Sequence, residues 1–295
     1  MYPTIVQIGS FKITSFGVMM FFSFIAGAWI LAKQFERRNI APGIAWDMLA
    51  WLALGGIVGA KLYYIGLHVE DLVQNPLSEL TNRGGLVWYG GFIGGSLAFM
   101  WQARRHKLPL GAAFDATAPA IALAYAVGRM GCFLVGDDYG LPTNSWVGIA
   151  FPDGSPPSTA GYLRGVGATI PASIPDNVVM RVHPTQLYEI AAALVIFWIL
   201  WKLAETPRRP WAMFGAYMGL YGIERFMVEF VRAKGDRYFF GLSTSQVASL
   251  AVMFAGTYLW TRRHGPPLPG ELSVGATPRP RPKEKPAPAA PAQRR

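Results

Sequence analysis

Residues 211–227 read WAMFGAYMGLYGIERFM, an apolar run that is interrupted only by the adjacent charges of Glu224 and Arg225. A run of this length can cross the hydrocarbon core of a bilayer, which is roughly 30 Å thick, as a single helix. A charge near the centre of such a helix costs roughly 2.5 to 3.5 kcal/mol even on lenient insertion scales, so a charge kept there usually serves a function. Another apolar run ends in the same way at Arg129. Two cations in apolar surroundings predict a buried site for an anionic group.

The rest of the chain has the same apolar character. Its 295 residues are 52% hydrophobic and only 15% charged, which is too apolar for an ordinary soluble domain. The long apolar runs lack the alternation of barrel strands, and helices satisfy their own backbone groups in lipid. We therefore expect an all-α polytopic membrane protein with about seven transmembrane helices. The seven runs cover residues 15–32, 44–67, 85–102, 112–135, 185–204, 211–230 and 244–261.

The distribution of basic residues predicts the orientation of these helices. The net charge of +10 is concentrated after every second run, which is the bias of cytoplasmic loops rather than of a nucleic-acid-binding surface. This pattern predicts a periplasmic N-terminus and a cytoplasmic C-terminus. The loop after the sixth run is a basic exception on the outer face, which would either attract anionic headgroups to a site or anchor the loop to lipid. The cytoplasmic clusters are Lys33, Arg37 and Arg38; Arg104, Arg105 and Lys107; Lys202, Arg208 and Arg209; and Arg262 and Arg263, and the exception is Arg232, Lys234 and Arg237.

Composition divides the chain into two parts. Residues 1–264 are expected to form the membrane-embedded domain, and the basic, Pro- and Ala-rich segment 265–295 a disordered cytoplasmic tail. Residues 136–184 form a large periplasmic loop region, either a lid or binding element or a passive connector. The first 14 residues lack the basic start and long apolar core of a cleavable signal, so the first helix should be retained. Residues 5–13 mix polar and apolar side chains and are expected to lie along the outer membrane surface.

A polar stripe runs along the sixth helix. Tyr221, Arg225 and Glu229 are spaced by four residues and share one face, with Arg232 about one turn further on. One interpretation is a self-contained pair of Arg225 and Glu229 that only orients two helices. The other is that Glu229 fixes the guanidinium while its remaining donors bind a phosphate. Glu224 lies off this stripe and is expected to serve packing or a neighbouring helix.

The fifth helix opens with HPTQLYE at residues 183–189. Its proline favours a helix start, which would place Gln186 and Glu189 one turn apart on one side. Free backbone N–H groups at this start would favour a nearby phosphate. His183 could instead be a cap or surface residue, and Glu189 could make a structural hydrogen bond.

A glycine-rich stretch, GGLVWYGGFIGG at residues 84–95, opens the third helix. Gly91 and Gly95 have the spacing that permits close helix approach. Tyr89 places a phenol near the outer interface, as a site residue or as one of the common interfacial tyrosines. Cys132 is the only cysteine, so neither an intramolecular disulfide nor a thiolate metal site is expected, and no cofactor is implied.

Three motifs, in this order along the chain, resemble the bacterial prolipoprotein diacylglyceryl transferases. They are GRMGCFLVGDDYG at residues 128–140, HPTQLYE at 183–189 and YGIERFMVE at 221–229, and the resemblance extends over roughly residues 11–262. It implies a multi-pass protein of the bacterial inner membrane, without cofactor or metal and active as a monomer. The implied reaction transfers the diacylglyceryl group of phosphatidylglycerol to the lipobox cysteine thiol of a prolipoprotein and releases glycerol phosphate, the first step of lipoprotein maturation.

The resemblance also implies roles for individual residues. Arg129 and Arg225 match functional arginines that orient the lipid and stabilise charge on the phosphate. Glu189, Glu229 or a water held by Tyr89 would help to deprotonate the thiol. The expected substrate-binding residues are Arg129, Arg225, Gln186, Tyr188, Tyr221, His183, Asp137, Gly140 and Lys61.

Five positions depart from the pattern of the family. Tyr89 replaces a histidine proposed as the base, Cys132 an asparagine, Asp137 a glutamate, Phe16 a tyrosine and Lys61 an arginine. A phenol with a pKa of about 10 is a weak base at neutral pH, whereas a thiol with a pKa of about 8.5 needs only modest help. An active transferase is therefore expected. The alternatives are a non-catalytic lipid-binding or lipid-moving protein on the same frame and a solute transporter, although the chain lacks the internal repeat of many transporters.

Overall fold

The computed structural model describes residues 1–9, 11–81, 86–206, 209–233, 237–239 and 241–262. The tail expected at 265–295 lies outside these residues, as do Arg208, Lys234 and Arg263. Ten helices form in the described part of the chain, and the seven long helices each coincide with most of one apolar run. The helices are α1 Ser15–Arg37, α2 Gly43–Leu67, α3 Val69–Gln74, α4 Pro76–Thr81, α5 Trp88–Arg105, α6 Leu110–Val135, α7 Ala160–Gly165, α8 Thr185–Leu203, α9 Ala212–Val228 and α10 Thr244–Thr261.

Four of the described helices, α1, α2, α6 and α8, are long and apolar enough to cross a membrane. The other three long helices are shorter, at 17 or 18 residues. The chain is thus a mostly helical, multi-pass membrane protein. It is not purely helical, because three two-stranded antiparallel sheets also form: β1 Thr4–Ile8 with β2 Phe11–Thr14, β3 Ile149–Ala150 with β4 Arg181–Val182, and β5 Arg237–Phe239 with β6 Leu242–Ser243. The segment 5–13, expected to lie on the membrane surface, forms the first of these hairpins.

Glycines bring α2 and α5 into close contact. Gly91 and Gly95, expected from the sequence pattern, face α2, but Gly90 and Gly94 approach its backbone more closely. A Cβ on Gly94 would lie only 2.9 Å from the Cα of Gly59, while one on Gly91 would meet its nearest atom at 3.4 Å. Two overlapping pairs with the same spacing occur in this stretch, and only the packing of α2 selects between them.

Helices α6, α8 and α9 pack together around small and aliphatic side chains. Ala118 and Ala122 of α6 contact Ile196 and Leu200 of α8 and Met213 of α9 in one buried cluster. Successive helices run in opposite directions, so the end of α6, the start of α8 and the end of α9 lie at the same end of the bundle. We call this the site end.

The region 136–184 is a folded cap rather than an open connector. It begins at Gly136, whose φ of +75° ends α6 in the left-handed conformation that favours glycine. Tyr139, Phe151 and Leu163 are buried together in a small core of its own. The cap is tied to the segment after α9 by a backbone hydrogen bond of 2.7 Å from Leu141 N to Val231 O.

Candidate active site

Three arginines surround one buried carboxylate at the site end. Glu189, near the start of α8, has a fully buried side chain. Arg129 Nε of α6 lies 2.7 Å from its Oε2, Arg225 Nη1 of α9 lies 3.3 Å from its Oε1, and Arg232 Nη1 lies 3.7 Å from the same oxygen. We call these four residues, together with Glu229 and Asp138, the arginine cluster. The two functional arginines expected from the sequence therefore meet at one acid.

Glu229 holds Arg225 from the other side. Arg225 Nη2 donates to Glu229 Oε2 at 2.7 Å, which is the pair expected from the spacing on α9. Ser243 Oγ donates to Glu229 Oε1 at 3.0 Å, and Arg232 Nε lies 3.9 Å from Oε2. Fixed between Glu189 and Glu229, the Arg225 guanidinium has little freedom to turn.

Asp138 closes the cluster on its exposed side. Its side chain is 41% exposed. The carboxylate accepts a hydrogen bond from Arg129 Nη1 at 2.9 Å and another from Arg232 Nη2 at 2.5 Å, and so bridges the two arginines. Its backbone has a φ of +58°, and Thr185 Oγ1 donates to its carbonyl at 2.6 Å. The sequence analysis missed Asp138 as a site residue, although it lies inside the motif at 128–140. Arg232 was expected only to lie about one turn beyond the polar stripe of the sixth helix. Its spacing of three residues from Glu229 could have indicated that it belongs to the site.

The charges of the cluster balance, with three cations against three carboxylates. Five of the six side chains are at most 13% exposed, and Asp138 is the exception. An anion that displaced the Asp138 carboxylate would meet donors of both Arg129 and Arg232 in a setting where water screens charge weakly. The position of that carboxylate is therefore the candidate for an accessible anion site.

Aromatic side chains line the inner side of the cluster. Arg129 Nε also donates to Tyr125 Oη at 3.2 Å. The ring of Tyr125 packs edge-on against Tyr221 at 5.7 Å, and Tyr221 stacks on Tyr217 at 5.8 Å. Tyr221 was an expected site residue, whereas Tyr125 and Tyr217 were not singled out.

Several expected substrate-binding residues hold the motif segment 137–140 against the start of α8. Gln186 Nε2 donates to the carbonyl of Asp137, and Gly140 N donates to the carbonyl of His183 at 2.8 Å. His183 Nδ1 lies 3.1 Å from Tyr188 Oη. A Cβ on Gly140 would lie 2.9 Å from the Cβ of His183, so glycine is required there. These residues position Asp138 and the start of α8.

Asp137 and Cys132 raise the question of a cation site. Ligand atoms of Cys132, Asp137 and Asp138 lie within 4.8 Å of one another. Arg129 Nη1 donates to Cys132 Sγ at 3.5 Å and also contacts Asp138, so its guanidinium already supplies the positive charge and these residues fit a metal poorly. Burial raises the pKa of Asp137, and the neighbouring charge of Asp138 raises it further.

Tyr89 and Lys61 lie on the α2–α5 pair, away from the helices that build the cluster. Tyr89 is 65% exposed, and its ring packs edge-on against Trp88 at 5.4 Å. Lys61 Nζ donates to the carbonyl of Glu79 at 2.6 Å. The structure therefore does not join these two expected residues to the cluster.

A cavity of about 570 Å³ adjoins the exposed side of the cluster. Asp138 and Arg232 form one wall, and Tyr139, Tyr162 and Arg164 of the cap line the rest. A ligand in this cavity could contact the accessible anion site directly.

The fold and the cluster define a mostly helical multi-pass membrane protein with a buried arginine cluster at one end of its bundle. The model of one protein family, described as prolipoprotein diacylglyceryl transferase, matches residues 3–262. The chain belongs to this family, as the three motifs predicted.

Curated relatives are similar over nearly their whole length. The chain is 31% identical over 265 residues to the phosphatidylglycerol–prolipoprotein diacylglyceryl transferase of Clostridium tetani, covering 88% of this chain and 97% of the relative. Proteins of the same name from Stenotrophomonas maltophilia and Xylella fastidiosa are 30% and 32% identical, covering 93% and 88% of this chain and 96% and 91% of the relatives.

Proposed function

We propose that this chain is a phosphatidylglycerol–prolipoprotein diacylglyceryl transferase. It transfers the diacylglyceryl group of phosphatidylglycerol to the lipobox cysteine thiol of a prolipoprotein and releases glycerol phosphate. Family membership and the names of the relatives support this function. The observation that carries it is the buried set of three arginines whose only exposed acidic partner among the described residues is Asp138.

The chemistry requires fixed positive charge at the phosphate. The thiol sulfur forms a bond to a glyceryl carbon, and the carbon–oxygen bond to phosphate breaks, so its electron pair leaves with glycerol phosphate. Negative charge grows on the phosphate during this step, and guanidinium groups that are already oriented stabilise it without reorganising. We assign this task to Arg129 and Arg225, with Arg232 as a third donor.

The acids of the cluster have a different task. Glu189 and Glu229 hold the arginines in place before the substrate arrives, which lowers the cost of ordering them in the transition state. The phosphate of the lipid displaces the Asp138 carboxylate from the two arginines that it bridges. Tyr221 forms part of the inner wall beside the reacting groups. Gln186, His183, Tyr188, Gly140 and Asp137 act by holding the segment that carries Asp138. Lys61 remains a proposed substrate contact, and Tyr89, expected to hold a water that helps to deprotonate the thiol, is now proposed as a second contact for lipid.

We further propose the arrangement of the chain in the membrane. Residues 1–264 form the membrane domain with seven spans, and the site end faces the periplasm of a bacterial inner membrane. The basic ends of α1, α5 and α8 support a cytoplasmic opposite end. All helices of the site belong to one chain, which supports an active monomer, and the tail 265–295 is proposed to be disordered.

Incubation of the purified protein with phosphatidylglycerol and a lipobox peptide tests the function. Mass spectrometry should detect a thioether-linked diacylglyceryl product from the wild-type protein. Arg129→Ala and Arg225→Ala should each lower the rate at least about a hundredfold, the typical cost of losing a charge-stabilising donor. Lys33→Ala, which removes an exposed cation on α1, is the matched control and should retain the wild-type rate. No product at any protein concentration would favour the non-catalytic lipid-binding alternative.

A further inference from the structure

One buried carboxylate beside the arginine cluster has no partner. Glu224 is only 6% exposed, and neither of its oxygens has a hydrogen-bond partner within the described residues. Burying a carboxylate without a partner is costly in a protein interior and more so in a membrane helix. The chain retains this cost at a position immediately before Arg225, so Glu224 requires an explanation that the described contacts do not supply.

The surroundings of Glu224 place it on the inner side of the cluster. It shares a face of α9 with Tyr221, one turn away, and Tyr217, two turns away. Its carboxylate interacts electrostatically with the phenols of Tyr217 and Tyr221 and with that of Tyr125 on α6. It is also within electrostatic range of Arg129, Arg225, Arg232 and Glu189 without forming an ion pair. Glu224 therefore lies beside the groups that would hold the phosphate, with phenol side chains around it.

The other carboxylates are poorly suited to accept a proton. Glu189 contacts three arginines, and Glu229 accepts from Arg225 and Ser243. The oxygens of these two acids are therefore engaged by arginines and Ser243. Within the described residues, no hydrogen bond occupies either oxygen of Glu224. Tyr89, the other expected contributor, is exposed on a different helix pair.

We propose that Glu224 is the proton acceptor for the lipobox cysteine thiol, a role that rests on the proposed transferase function. The S–H proton moves to a carboxylate oxygen of Glu224 as the sulfur forms its bond to the glyceryl carbon. The carbon–oxygen bond breaks, and its electron pair leaves with glycerol phosphate, which Arg129 and Arg225 stabilise. The protonated Glu224 then gives its proton to the departing phosphate or to water, which restores the carboxylate.

A pair of peptides that differ only at the nucleophile tests this role. A lipobox peptide with cysteine needs a base, whereas one with selenocysteine, kept reduced, is already ionised at neutral pH. Glu224→Gln should lower the rate with the cysteine peptide by up to about thirtyfold, since the roughly 3% of a thiol with a pKa of about 8.5 that is ionised at pH 7 can still react without a base. The rate with the selenocysteine peptide should stay within about threefold of wild type, because that nucleophile needs no proton acceptor. Glu36→Gln, at an exposed ion pair of α1, is the matched control and should change neither rate.

The ratio of the two rates separates the possible outcomes. An equal fall with both peptides would indicate a structural role and overturn the proposal, as would an unchanged rate with cysteine. If Glu224→Gln does not fold, Glu224→Asp takes its place. The displaced carboxylate of this variant should still raise the ratio of the selenocysteine rate to the cysteine rate severalfold. An unchanged ratio would count against the role of Glu224. Wild-type protein that modifies neither peptide would overturn the transferase function itself, and with it the role of Glu224.

Discussion

At the scale of single residues, the site depends on how each acid is partnered. Glu189 is fully buried among three arginines, Asp138 is exposed and bridges two of them, and Glu224 is buried with no hydrogen-bond partner among the described residues. We propose that these three carboxylates have different tasks: one orients the arginines, one occupies the anion site, and one accepts a proton. Their surroundings decide the difference, since two of the three are glutamates.

Removing the charge of Asp138 should strengthen anion binding. Asp138→Asn keeps the shape of the side chain but leaves the cluster with one uncompensated cation facing the cavity. We expect glycerol phosphate to inhibit this variant about tenfold more tightly, or by about 1.4 kcal/mol. Titration of the transferase reaction with glycerol phosphate measures the change. Asp153→Asn, on an exposed part of the cap, is the control and should be inhibited by glycerol phosphate as the wild type is. Equal inhibition of the wild type and both variants would contradict the placement of the anion site.

Removing the charge of Glu189 should destabilise the site end. Glu189→Gln leaves three arginines facing a neutral amide, and loss of one partner of a buried ion pair typically costs about 3 to 5 kcal/mol. Thermal unfolding in detergent should show a clear fall in stability together with loss of transfer. Glu205→Gln, which disrupts an exposed pair with Lys202, should unfold as the wild type does. A Glu189→Gln protein of wild-type stability would show that the cluster does not depend on this acid.

At the scale of elements, the position of α5 depends on which glycines face α2. The GG–GG pattern in residues 90–95 offers two registers with the same spacing, and hydrophobic composition does not distinguish them. The contact of Gly94 with Gly59 selects one of them, because backbone carbonyl groups approach too closely there for any side chain.

Alanine at these two registers should have unequal effects. Gly94→Ala should destabilise the protein by about 1 to 3 kcal/mol, the typical cost of overpacking a close contact. Gly91→Ala, whose new Cβ would lie 3.4 Å or more from its neighbours, should stay within about 0.5 kcal/mol of wild type. Unfolding in detergent with added denaturant gives both values. The opposite order of stability would support the register that the sequence pattern first suggested.

At the scale of the whole molecule, the proposed orientation places the cap and the cluster in the periplasm. Trp146, in the cap, is 89% exposed, and Glu205 lies just beyond the end of α8 at the opposite end of the bundle. A membrane-impermeant thiol reagent applied to intact spheroplasts should label Trp146→Cys but not Glu205→Cys. The unsubstituted protein is the control, since its single cysteine, Cys132, is buried. Labelling of Glu205→Cys alone would reverse the proposed topology.

The long helices could be placed from the chain alone, and their observed bounds lie close to the seven apolar runs. The free energy of transferring apolar side chains out of water is a sum over the residues of a run. It can therefore be evaluated without knowing which helices pack beside that run. Four charged site residues could also be found from the sequence, because a charge inside an apolar run is unusual whatever the run packs against. They are Arg129, Arg225, Glu189 and Glu229.

The partners of these charges are a property of the folded chain. Arg129 meets Glu189 across 60 positions, and Arg232 meets Asp138 across 94. Such contacts depend on how antiparallel helices pack and on where the cap returns to the bundle, and local composition carries no information on either. The amino-acid sequence alone was therefore enough to identify a membrane transferase with buried arginines. Packing decided that Asp138 bridges Arg129 and Arg232, that Gly94 approaches α2 more closely than Gly95, and that Glu224 has no hydrogen-bond partner among the described residues.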